Sequence, residues 1–151
     1  MVIGMASKRD RVLERAFQEH VVQIGQSHGG FVSKFKPNKV RAMKVRVAPG
    51  HEMTYVQRLS SVRVEVYIYF GKTRYKESLK AFEALFKHKS AIEADFGAEL
   101  WWDDRETRNA CRVRLDREGF DLHDRSCWDD YATWMVEHMD RLHQALLPYL
   151  E

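Results

Sequence analysis

The chain lacks most of the features by which a sequence announces its chemistry. Only two cysteines, Cys111 and Cys127, occur in 151 residues. They form no CxxC pair, which excludes a disulfide framework and a paired-thiolate zinc site and suits a reducing compartment. Three prolines are too few for a proline-rich linker. No apolar run approaches the roughly 20 residues of a membrane span. The N-terminus MVIGMASKRD has no signal-peptide layout. The expectation is a cytoplasmic protein that does not engage a membrane.

Catalytic motifs are missing as well. The stretch FGKTRY, Phe70 to Tyr75, resembles the end of a phosphate-binding loop, but the first glycine that such a loop needs is replaced by Val66 inside a strand, so no backbone cradle forms. No lysine has an acid two residues before it, which excludes the acid-x-lysine pattern of many metal-dependent nucleases. HExxH, EF-hand and GxSxG signatures are also absent. His123, Asp124 and Cys127 are close in sequence but lack a fourth metal ligand, and helix capping is the simpler role. Glu93, Asp103 and Asp104 are a candidate carboxylate group, but adjacent carboxylates at a strand end read more simply as solvated turn residues. The expectation is a protein that is not an enzyme, with no cofactor and no metal.

What is present is a globular composition, 44% hydrophobic and 31% charged, with an uneven charge distribution. The net charge of +3 is the sum of +7 over residues 1–50, +4 over 51–91 and −8 over 92–151. The segment Ser33 to Val47 has six basic residues and no acid. A polyanion partner, pairing between the two ends of the chain, and an ordinary solvated face all accommodate that pattern.

Periodicity predicts three helices. The first starts at Ser7 with Asp10 as its capping-box partner, carries Leu13, Phe17, Val21 and Ile24 inward, and ends at Gly25. The second runs from Thr73 to Gly97 on a broad apolar stripe. The third begins at Ser126 with Asp129 as box partner and closes at Pro148. Between them the period changes to 2. Strands are predicted over Met43–Val47, Met53–Leu59 and Val62–Phe70, with a turn at Pro49-Gly50. A later hairpin joins Leu100–Trp102 to Ala110–Leu115 across Asp103–Asn109, with Trp102 inward and Trp101 outward. The order α-β-β-β-α-β-β-α predicts one α+β domain over residues 1–151: a mostly antiparallel five-stranded sheet with three helices on one face.

The outer face of that sheet gathers Lys44, Arg46, Arg58, Arg63, Tyr67, Tyr69, Arg112 and Arg114, with Trp101 beside them. Three readings fit. Cations among flat rings suit DNA or RNA. The same residue types build protein interfaces and homodimers. Exposed antiparallel sheets also carry polar residues as a matter of course. The leading expectation is a nucleic-acid-binding or DNA-transaction accessory module, the alternative a protein-interaction or homodimerisation domain using the same face.

From Arg63 onward the chain resembles a family of uncharacterised prokaryotic domains often found C-terminal to restriction-endonuclease-like nuclease domains. The resemblance rests on RVEVYIYF, KAFEALFKHKSAIEADFGAELWWD, ACRVRL and WDDYATWMVEHMDRLHQALLPYL. It includes the pattern Lys89, Ile92, Glu93, Phe96, Gly97 and Trp102, and is weaker over the first 60 residues. It implies no activity or catalytic residue of its own. It does imply work near DNA, with a link to restriction or defence and with a nuclease-type protein as a possible partner.

Overall fold

A computed structural model of the chain describes residues 9–105 and 109–150. Five strands form one sheet in the order β1-β2-β3-β5-β4: β1 Ala42–Ala48, β2 His51–Gln57, β3 Ser61–Ile68, β4 Trp101–Asp103 and β5 Cys111–Glu118. Every neighbouring pair is antiparallel. Among the described residues four α-helices pack with it: α1 Arg11–His28, α2 Tyr75–Phe86, α3 Lys89–Phe96 and α4 Trp128–Leu146.

Alternation along the strands decides which face carries what. Val62, Val64, Val66 and Ile68 of β3 point to the helices, beside Met53 and Tyr55 of β2 and Cys111 and Val113 of β5, and all are buried. Helix α4 lies across β2 and β3, α2 packs on β3 and β5, and α1 and α3 pack against α4. Phe17, Phe96, Met135 and Met139 fill the space between these layers. The inner face, apolar except at its ends, where His51, Gln57 and Arg117 share it, is therefore covered, whereas the outer face has no helix among the described residues packed on it.

The α+β class, the single five-stranded antiparallel sheet and the β4–β5 hairpin agree with the expectation, and four helices replace three. The long second helix is divided at Lys87 and His88 into α2 and α3. Glu93, on α3, accepts from the Leu100 amide at 2.8 Å and the Trp102 indole at 3.0 Å, tying that helix to the incoming strand β4. Gly97, at φ 95° in the left-handed region, ends α3 as expected.

The first helix does not stop at Gly25 but continues to His28. Gly25 is a packing residue: a Cβ there would lie 2.7 Å from the Val32 carbonyl oxygen, so it lets the following turn fold back on the helix. The predicted start at Ser7 lies outside the described residues. Asp10 caps the helix itself, accepting from the Leu13 amide at 3.0 Å. The last helix is preceded by a short 3-10 turn, Arg125–Cys127, capped by Asp124 and not by Ser126.

Candidate functional site

Strand register arranges the outer face in rows that cross the sheet. One row runs Lys44, Thr54, Glu65, Arg114 and Trp101; the next runs Arg46, Glu52, Tyr67, Arg112 and Asp103; a third pairs Val56, Arg63 and Asp116. Each residue was placed on this face by the two-residue period alone, since residues of one parity share a side. The face is concave. It encloses a cavity of about 330 Å³ lined by six basic residues, Lys44, Arg58, Arg63, Arg105, Arg112 and Arg114, against the acids Glu52, Glu65 and Asp103. That volume is at the small end of ligand sites, which span roughly 300–1,000 Å³.

At the floor the side chains are nearly as inaccessible as those of the core. Exposure is 4% for the Glu65 side chain, 9% for Arg114, 12% for Arg63 and 15% for Arg112. Arg63 grips Asp116 with two nitrogens at 3.0 and 3.1 Å and reaches Glu65 at 3.3 Å. Arg114 donates to Asp116 at 2.8 Å, and Arg112 lies 3.7 Å from Glu65. Burial pushes the Glu65 carboxyl above its ordinary value, against the pull of Arg63, Arg112 and Arg114. Two guanidinium groups also sit over rings, Arg112 at 4.8 Å from the Tyr67 centroid and Arg114 at 4.2 Å from Trp101. The Nε of Arg114 is buried without a hydrogen-bond partner among the described residues.

All nine residues singled out from the sequence lie on this face, but they do not form one patch. Lys44, Arg58, Arg63, Tyr67, Arg112 and Arg114 line the central cavity. Arg46 and Tyr69 belong to a neighbouring depression at the β1–β2 turn, with His51, Phe70 and Arg74. Trp101, 59% exposed, stands at the sheet edge beside Leu115 and Glu118. The three central arginines are committed to carboxylates rather than free. Among the described residues, Arg46 and Arg58 are exposed and make no ion pair.

The acids of the cavity were the signal that residue-type reasoning passed over. Glu65 and Asp116 have the same parity as Arg63 and Arg114, so alternation already put them on this side. Asp103 corrects the sequence reading directly. It is not a solvated turn residue but the buried end of β4, opposite Arg112 and held by the Arg105 guanidinium at 2.8 and 3.0 Å. Burial raises its pKa, yet the Arg105 side-chain and backbone donors outweigh that and hold it below its ordinary value. Asp104 follows the strand, exposed, its carbonyl accepting from the Tyr75 hydroxyl. Glu93 lies across the sheet from Asp103, with its carboxylate on Lys89, Leu100 and Trp102 of the helical side, so the three acids do not converge. The turn residues 106–108 lie outside the described residues.

The arrangement places donors around a central acceptor in a nucleotide-sized hollow, with flat rings at its margins. No group of histidine, cysteine and carboxylate side chains able to hold a metal ion occurs among the described residues. Nor is any described helix long and apolar enough to cross a membrane.

A family model described as a domain of unknown function, DUF4268, matches residues 15–150, and the chain belongs to that family. The match begins well before Arg63, so the first helix and the first two strands are part of the family's domain as well. No curated protein and no solved structure matches the chain.

Proposed function

We propose that this member of the DUF4268 family is a nucleic-acid-binding module that takes a single-stranded segment onto the concave face of its sheet. The observation that carries the reading is the cavity itself. Six basic residues exceed three acids around a hollow too small for a duplex; Tyr67 lines it, with Tyr69 beside Tyr67 and Trp101 under Arg114 in the neighbouring depressions. An unpaired base can enter such a space and its phosphates can follow the cationic rim. A partly buried ion network costs stability compared with an apolar surface of the same shape, so a sheet that keeps one is better explained by a ligand than by folding. The company with nuclease domains that the resemblance implies favours the same reading, as an inference from association and not from a site.

The rim supplies the test, because Lys44 and Arg58 can be reversed without dismantling the floor. Titration of a labelled single strand across a salt series should give affinity that falls steeply with salt, with a slope of about −0.7 per phosphate contacted. Lys44→Glu and Arg58→Glu should each flatten that slope and weaken binding severalfold while leaving the melting temperature in place. Absence of binding at low salt overturns the reading. If the same variants instead convert a dimer to a monomer on a sizing column, the face is a protein interface.

A further inference from the structure

Resting on that reading, we infer that the cavity selects an unpaired guanine, with Glu65 reading its Watson–Crick edge and Arg114 its acceptor side. The floor has an unusual polarity for a face that meets polyanions, because its most deeply set group is a carboxylate. Glu65 Oε1 already accepts from Arg63 at 3.3 Å, a long contact, since Arg63 is chiefly committed to Asp116. A carboxylate has room for about four hydrogen bonds across its two oxygens; with its side chain only 4% exposed, Glu65 meets a ligand as the long Arg63 and Arg112 contacts, at 3.3 and 3.7 Å, give way. Its directly opposite neighbour in the register, Arg114, is more than nine-tenths buried and has an Nε–H without a partner among the described residues. Such an orphaned donor is costly unless an acceptor reaches it.

A complementary ligand must therefore bring adjacent N–H donors to Glu65 and an acceptor to Arg114. Among the bases only guanine meets this in one plane. Its N1–H and N2–H₂ lie side by side and match the two oxygens of a carboxylate, and its O6 and N7 are the acceptors that arginine takes. To reach them Arg114 exchanges its hydrogen bond to Asp116 and its place over Trp101 for the base. Adenine and cytosine offer one amino group with a ring-nitrogen lone pair beside it, and thymine or uracil offers one imino N–H between two carbonyls. Each of these sets an acceptor against Glu65, a repulsive mismatch that discriminates as strongly as a missing contact.

The experiment is a competition among short oligothymidine strands that differ in one central base: guanine, adenine, cytosine, thymine or hypoxanthine. Hypoxanthine is guanine without its 2-amino group and isolates one of the two bonds to Glu65. The guanine strand should bind at least roughly tenfold more tightly than the adenine, cytosine and thymine strands, the lower part of what one bidentate pair provides. Hypoxanthine should lose several-fold of that advantage. Glu65→Gln should bring all five strands to similar affinity without weakening the salt-dependent component. Equal affinities in the wild-type protein overturn the base reading and leave nucleic-acid binding standing. Failure of every strand to bind at low salt overturns both. A guanine preference that survives in a folded Glu65→Gln protein overturns the assignment to Glu65. The hypoxanthine comparison needs no variant and decides the matter if Glu65→Gln does not fold.

Discussion

At the centre of the sheet its two faces are buried to similar depth by opposite means. On β3, Val64 and Val66 disappear under the helices, and between them Glu65 disappears on the other side beside Arg63 of its own strand and Arg112 of β5. The inner face gains from every methyl group it removes from water, at about 25 cal/mol per Å² of apolar surface. The outer face gains little or nothing, because desolvating carboxylates and guanidinium groups offsets much of their attraction. One face explains why the chain folds; the other is where the proposed function can be tested.

The comparison can be broken most forcefully from the inner side. Ile68→Ala, at a fully buried position on β3, should cost about 2–5 kcal/mol, read as a lower midpoint in urea with an unchanged slope. Asp116→Ala attacks the outer face by freeing Arg63 and Arg114. Because Asp116 is partly solvated, the loss should be smaller, about 1–3 kcal/mol, and larger than that of any rim charge. A cost equal to that of Ile68→Ala would mean that both faces hold the fold alike.

Glu93→Gln sharpens the contrast from the hinge between α3 and β4. Burial raises the Glu93 pKa, but the Leu100 amide, Lys89 and the Trp102 indole together take it below its ordinary value. A carboxylate depressed by folding contributes stability that is complete above its unfolded pKa and is lost as pH falls through the folded one. The variant should therefore cost about 1 kcal/mol at neutral pH and nearly nothing in acid below the usual carboxylate range. A cost that does not change with pH would show that the carboxylate's charge is not what ties α3 to β4. The smallest effect belongs to Arg58→Glu, expected within about 0.5 kcal/mol of wild-type stability, its consequence being confined to binding.

Much of this was legible in the sequence, for identifiable reasons. A strand fixes side by parity, so Trp102 inward and Trp101 outward followed from two adjacent letters, and the register bears this out. The same parity placed every candidate residue on the outer face. Pairing across the sheet was not legible, because Arg63 and Asp116 are separated by 53 positions and meet only once β3 and β5 are in register. Reading residue types one at a time therefore made a free basic patch of what is a neutralising network. The break at Lys87 and His88 carries no glycine or proline to mark it. The helical Gly25 shows the reverse case, a residue with a stop signal's identity used instead for close packing.

The central claim is that the concave outer face, and not the basic stretch 33–41 ahead of β1 or the helical side, receives the ligand. Backbone amide shifts recorded while a guanine-containing single strand is added test this most directly. The account predicts perturbations centred on Thr54, Glu65, Arg112 and Arg114, with the amides of α1 and α4 unmoved. Perturbations confined to the helices, or to residues 33–41 ahead of β1, would contradict it.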